Sequence, residues 1–229
     1  MTRVEVIVGH GTRDDTHRKA ARAWVIDRYQ RHQYPVRVGA AKGRWCKANA
    51  YNPAAALSDA EVLVIADADS VVTRGALATA ISHATRDGYA VPAQNVRRLT
   101  PAATQQLLAT DPTDDPDTRL PIEGGHQLLA GGGIVVVTSE LWRAVGGFDP
   151  RFIGWGGEDY ALGCALYALT GLYPARSPGV LWHLWHPPQT RDQRLTPANE
   201  ALSRRYLNAK HDRPAMRALL AEVASDDAT

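Results

Sequence analysis

Two carboxylates one residue apart, Asp67 and Asp69, close an apolar run that starts after Glu61. Such a pair offers hard oxygen ligands to a divalent cation. Mn2+ or Mg2+ held this way bridges a diphosphate and neutralises the charge that builds as that group departs. Asp69 is placed to ligate the metal directly, and Asp67 to face a ribose or a metal-bound water. His183, late in Leu181-Trp182-His183-Leu184-Trp185-His186-Pro187-Pro188, adds an imidazole ligand. His186 is the alternative ligand, or a diphosphate contact. On a strand, positions 183 and 186 point to opposite faces, so both reach one metal only if the strand ends between them. The plainer alternatives are acids that cap the next helix and histidines packed in a core.

Trp155-Gly156-Gly157-Glu158-Asp159 joins an indole face, two glycines and two adjacent acids in one turn. Gly156 and Gly157 let the backbone approach a ligand closely. Asp159, or Glu158, is positioned to take a proton from an attacking hydroxyl, the other acid hydrogen-bonding substrate hydroxyls. Both acids also suit the positive end of a helix starting near residue 159. Gly131-Gly132-Gly133 either lets a sugar lie against the backbone at Gly132 and Gly133 or makes a tight turn. Thr12 and Arg13, and Arg44 with Lys47 and Asn49, are candidate nucleotide contacts, each also readable as a surface group.

These groups need elements to hold them. Val4 to Val8 reads as a strand entering a glycine loop, residues 15–32 as a helix, and Val36 to Val38 as a strand stopped by Gly39. A helix over about Lys47 to Leu57 follows, with Pro53 pointing to a later true start. Glu61 to Ala66 is a third strand, apolar enough for the centre of a parallel sheet. This alternation argues for an open α/β sheet, which places ligands beyond the carboxyl ends of its strands, where Asp67 and Asp69 fall. Gly75 to Arg86 reads as a helix, Tyr89 to Pro92 and Ile134 to Val137 as strands, and Ser139 to Val145 as a helix capped by Ser139. The acidic, Pro-containing stretch 110–126 reads as a solvated surface loop rather than a lid over the site. Asp159 to Leu169 reads as a helix closed by Gly171, Leu181 to Trp185 as a late strand, residues 197–223 as one or two amphipathic helices, and Ser225 to Thr229 as a frayed tail.

The bulk figures exclude little. A chain of 229 residues with 45% apolar content suits one domain, or one domain with an appendage. Twenty-six basic residues, only four of them lysine, against 24 acids give a net charge of +2, which is not the signature of a nucleic-acid binder. Two cysteines, Cys46 and Cys164, make no disulfide framework, and a reduced cytoplasm is the expected location. The N-terminus does not read as a signal peptide, and no apolar run approaches the roughly 20 residues that span a bilayer, so no stable membrane insertion is expected.

Together, the Asp-x-Asp pair, the Gly-Gly-Phe and Trp-Gly-Gly-Glu-Asp motifs and the late His resemble the GT-A glycosyltransferases. The resemblance is nearest to the galactosyltransferase and N-acetylgalactosaminyltransferase group and runs over residues 4–186. It implies an α/β fold whose Rossmann-like nucleotide-binding half carries a mixed, mainly parallel central sheet, followed by a C-terminal acceptor half. One catalytic domain would cover 1–195, its nucleotide-sugar half about 1–92 and its acceptor half about 127–195, with a helical appendage and tail over 196–229. The resemblance further implies a UDP-sugar donor of a hexose or N-acetylhexosamine, and Mn2+ or Mg2+ at Asp69 and His183. It implies Asp159 as the base of an inverting displacement and Trp155 as an aromatic platform. Two departures stand out: Tyr160-Ala161 replaces the further acids of inverting galactosyltransferases, and Gly9-His10-Gly11-Thr12-Arg13 lacks their Pro-x-Asn-Arg form. The Arg-rich composition and the Trp-His-Leu-Trp-His-Pro-Pro segment are also similar to stand-alone transferases of actinobacterial phages. That likeness adds a virion protein or a hydroxymethylated DNA base to glycans as acceptors, in the host cytoplasm. Two other classes compete: a metal-dependent phosphohydrolase, which would place its nucleophilic Asp after the first strand rather than the third, and a non-catalytic nucleotide-sugar binding module.

Overall fold

In the computed structural model, which describes residues 2–11, 15–187 and 195–226, the chain opens with an alternation of strands and helices. β1 (Val4–Gly11), α1 (Thr16–Arg31), β2 (Val36–Ala41), α2 (Lys47–Ala56) and β3 (Val62–Asp67) form this unit. The central residues of β1 and β3 are almost fully buried, which their unbroken Val/Ile/Leu runs require of strands covered on both faces. β2 does not stop at Gly39. It runs on to Ala41, and a Cβ at Gly39 would stand 1.8 Å from the Ala50 carbonyl oxygen, so this glycine lets α2 lie directly on the strand. Pro53 does not delay α2 either; the helix starts at Lys47 and carries Pro53 inside it.

Next come β4 (Ser70–Val71), α3 (Arg74–Asp87), β5 (Tyr89–Val91), β6 (Asn95–Leu99), α4 (Pro101–Leu108), β7 (Ile122–Gln127) and β8 (Ile134–Thr138). No pattern in the sequence announces β4, β6, α4 or β7. Part of the expected acidic loop is β7, paired antiparallel with β6. The rest of that stretch is tied down rather than merely solvated. The buried Arg28 guanidinium donates to the carbonyls of Pro112 and Asp114 and to the Asp115 carboxylate, and Asp115 also accepts from the Arg74 amide at the start of α3.

α5 (Ser139–Val145) is capped by Thr138, not Ser139: the Thr138 hydroxyl accepts from the Leu141 amide, while Ser139 Oγ turns inward to the Ala60 carbonyl. The remaining elements are α6 (Glu158–Thr170), β9 (Ala175–Arg176), β10 (Val180–His183), α7 (Pro197–Ala209) and α8 (Arg213–Asp226). Gly171 closes α6 in the left-handed region, as expected. Ser225 and Asp226 belong to α8, and the rest of the expected tail, 227–229, lies outside the described residues.

The main sheet has the order β2-β1-β3-β8-β5-β9. Pairings β1–β2, β1–β3 and β5–β9 are parallel, and β3–β8 and β5–β8 antiparallel, which is the mixed, mainly parallel sheet expected. A second sheet, β4-β10-β6-β7, stands beyond the carboxyl end of β3 and brings His183 beside Ser70. α7 and α8 pack on α6. No helix among the described residues is long and apolar enough to cross a membrane.

Candidate active site

Asp67 is the last residue of β3, and its amide donates to the Gly133 carbonyl at 2.7 Å, which ties the strand end to the triglycine turn before β8. Its Oδ1 meets the Lys47 ammonium at 2.8 Å and accepts from the Tyr51 hydroxyl at 3.1 Å. Lys47 also reaches Asp159 Oδ1, at 2.7 Å. One ammonium, only 6% of its side chain exposed, therefore joins the end of β3 to the first turn of α6. Burial alone would lower the Lys47 pKa; the carboxylates of Asp159 and Asp67 outweigh it and hold the group well above its ordinary value.

Asp159 sits in the first turn of α6, whose N-cap is Gly157. Burial pushes its carboxyl up to about 7, helped by repulsion from Glu158 and Asp67 and opposed by Lys47. Loss of water around the charged form is the main cause, and one ammonium shared among three acids does not make it up. Gly131 and Gly132 make this packing possible. A Cβ at Gly131 would stand 2.2 Å from the Asp159 carbonyl oxygen, and one at Gly132 would stand 3.1 Å from Asp159 Oδ2. The triglycine is thus a close backbone fit against α6 that keeps one edge of the Asp159 carboxylate unobstructed. Glu158 Oε2 is buried and has no hydrogen-bond partner among the described residues, an acceptor in want of a donor.

On the other side of Asp67 lies a second cluster. Asp69, His183 and His186 each offer a ligand atom, all within 4.8 Å of one another. Asp69 Oδ1 is 3.8 Å from His183 Nε2, and Asp69 Oδ2 is 3.2 Å from His186 Nε2. Both imidazoles reach the carboxylate because β10 ends at His183: the chain leaves the strand there, the Leu184 amide donates to the Asp69 carbonyl, and His186 folds back. Burial raises the Asp69 pKa, but the two imidazoles outweigh it and hold the carboxyl below the usual range. Burial keeps His183 low, whereas His186, which burial would also lower, is raised by its hydrogen bond to Asp69. Arg18, from the first turn of α1, braces His186 from behind, its Nη2 lying 2.7 Å from Nδ1.

The sequence profile of glycosyl transferase family 2 matches residues 4–127, more than half of the chain. The chain belongs to glycosyl transferase family 2. A second profile, described as the N-terminal domain of galactosyltransferase, matches residues 124–168 of this transferase. Among solved structures, the catalytic domain of Drosophila beta1,4galactosyltransferase 7 in complex with xylobiose is similar at 15% identity. That match covers 89% of this chain and 80% of the other, with a TM-score of 0.52. A mutant of the same Drosophila enzyme, in complex with manganese, UDP-Gal and xylobiose, matches at 14% identity with the same coverage and TM-score. These likenesses show the fold, and the transferase is of the GT-A type. No curated protein matches the chain.

Within the transferase, Asp67, Asp69, Asp159, Glu158, His183, His186, Gly132 and Gly133 are brought to one region, and Lys47 joins them in a role the sequence did not suggest. It is a buried bridge between two acids and not a surface group. Asn49 is not brought beside it: it is exposed, and i,i+2 positions on a helix do not face each other. Arg44 is exposed and its guanidinium lies over Gly154. Thr12 and Arg13 lie outside the described residues. Trp155 is 54% exposed, flanked by Gly154, Gly156 and Gly157, all at positive φ. Sequence reasoning missed Tyr51, Asn52 and Arg18. Asn52 donates to the Phe148 carbonyl and accepts from its amide, which fixes the start of the loop leading to Trp155. The only sequence signal for Tyr51 was its partner Gly9, which leaves the space its ring fills.

Proposed function

We propose that this transferase moves a hexose or N-acetylhexosamine from a UDP-sugar to an acceptor hydroxyl with inversion, using a divalent cation. The observation that carries the reading is the Lys47 bridge, which sets a raised carboxylate, Asp159, next to the end of β3 and beside the Asp69–His183–His186 cluster.

One carboxylate and two imidazoles converging at ligand distance fit a resident cation, and the nitrogen pair favours Mn2+ over Mg2+, which prefers oxygen. When bound, the cation would neutralise the charge that builds on the departing diphosphate. The rest falls to the chain. Asp67, fixed by Lys47 and Tyr51, faces the ribose. Asp159 accepts the acceptor's proton while that oxygen attacks the anomeric carbon and the bond to the diphosphate breaks on the opposite face. The product is an inverted glycoside, UDP and a protonated Asp159. A base of pKa about 7 is matched to that transfer near neutrality. Glu158, partly exposed at the start of α6, hydrogen-bonds a sugar hydroxyl. The exposed indole of Trp155 suits acceptors that present a ring, a glycan or a hydroxymethylated base, better than a protein side chain.

The test is UDP release from UDP-hexoses with and without Mn2+, alongside a thermal-shift series of UDP, GDP, ADP and dTDP sugars. Saturating UDP-sugar at about 100 times its dissociation constant should add roughly 2.7 kcal/mol of stability, only with metal. No response to any nucleotide would overturn the reading.

A further inference from the structure

The Trp155 loop is built from backbone that cannot hold itself. Gly154, Gly156 and Gly157 have φ of +85°, +98° and +97°, and the first of these has its amide on the Trp45 carbonyl at 2.7 Å. The carbonyls between them turn inward, towards α7. There the side-chain amide of Asn199, 2% exposed, donates to the carbonyls of Gly156 at 3.0 Å, Ile153 at 3.3 Å and Trp155 at 3.4 Å. Three carbonyl oxygens on one side of an amide demand its NH2 there, so the orientation is dictated by chemistry. Asn199 is itself placed by the cap of α7, its amide donating to Thr196 Oγ1. The same helix closes on the loop again at Ser203, whose Oγ a Cβ at Gly157 would meet at 2.3 Å. One turn further on, Tyr206 donates to Asp149 at 2.9 Å.

We infer that α7, through Asn199, is a positioning element of the acceptor site: it sets the conformation in which Trp155 is presented beside Glu158 and Asp159. The C-terminal helices are then part of the working site rather than an appendage to it. This rests on the acceptor role proposed above for Trp155. A helix that merely covered the core would do so with apolar side chains such as Leu202, 8% exposed on the same helix. It would not spend a buried amide on three carbonyls of one glycine loop.

The test compares the whole chain with Asn199→Asp, which sets a carboxylate against the three carbonyls, and Asn199→Ser, which keeps a donor and loses reach. Trp155 is the one exposed tryptophan among the described residues, so acrylamide quenching of fluorescence, with Trp155→Phe as reference, reads its environment. Hydrogen exchange reads the amides of 153–157, and calorimetry with UDP and Mn2+ reads the nucleotide side. Both variants should change Trp155 quenching and speed exchange in the loop by about tenfold or more, the loss of a buried hydrogen bond. UDP affinity should stay within about twofold. Unchanged quenching and exchange would overturn the inference. So would faster exchange spread equally over β3 and β8, or over a chain that fails to fold, since Asn199 would then be a general stabiliser. If the unmodified protein binds no UDP with Mn2+, the proposed function fails, while quenching and exchange still decide the role of Asn199.

Discussion

The ends of β1 and β3 and the loop from Phe148 to Gly157 build their share of the site by different means. On the first side, regular elements do the placing: Asp67 is where it is because a buried central strand ends there. On the second, no regular element is present between α5 and α6, and glycines at positive φ are held by polar side chains from distant helices, Asn52 on α2 and Asn199 on α7. Strand-end positions are robust, because moving them means moving a sheet. Loop positions are adjustable, because each depends on a few hydrogen bonds. In the function proposed above, the donor falls to the strand ends and the acceptor to the adjustable loop.

Replacing groups on either side should expose the difference. The largest effect is expected for Asp159→Asn, which should lower kcat by about 10²–10⁴ while UDP affinity with Mn2+ stays near normal; normal turnover would remove Asp159 from its role. Lys47→Met leaves two carboxylates facing each other. It should cost about 3–5 kcal/mol in denaturant unfolding and carry the apparent pKa of the base upward in the pH–rate profile. If replacing Lys47, the residue that ties down the strand-end Asp67, cost nothing, the contrast between the two sides would be undone.

The third effect concerns pH. Transfer should rise with pH through about 7 as Asp159 loses its proton. Stability should run the other way. A carboxyl raised on folding contributes stability below its unfolded pKa and loses it as pH climbs through about 7, so Asp159→Asn should flatten calorimetric stability between pH 4 and 7. Mn2+ binding should weaken about tenfold for each unit that pH falls below the raised pKa of His186, which must give up a proton to bind, and His186→Ala should abolish that slope in titrations. Asn49→Ala should be the smallest change, within about twofold in every constant, as suits an exposed residue.

Legibility in the sequence followed the same line. The apolar runs of Val4–Val8, Glu61–Ala66 and Ile134–Val137 announced β1, β3 and β8, because strands covered on both faces have little freedom in composition. Asn95-Val96-Arg97-Arg98-Leu99 and Ile122-Glu123-Gly124-Gly125-His126-Gln127 announced nothing. β7 is an exposed edge strand, and its partner buries only Val96 and Leu99. Asp69, Asp159 and His183 were legible by type and order, as was the condition under which His186 would join them. The bridging of Lys47 was not, since a residue's partners 112 positions away leave no trace in its neighbours. Asn199 was hidden for the same reason: Thr196-Pro197 announces a helix start, and nothing nearby says what the third residue after the cap will touch.

Two of the contacts that complete the site span a long stretch of chain, Lys47 to Asp159 and Arg18 to His186, the latter 168 positions apart. On the ribosome, at about 5–20 residues per second, Lys47 emerges seconds before its second carboxylate exists. Until α6 and the stretch after β10 arrive, its ammonium has half its neutralising charge and Asp69 has neither imidazole. The cluster of charges therefore closes in two stages of synthesis, the Lys47 bridge when α6 is made and the Asp69 cluster only when His183 and His186 follow.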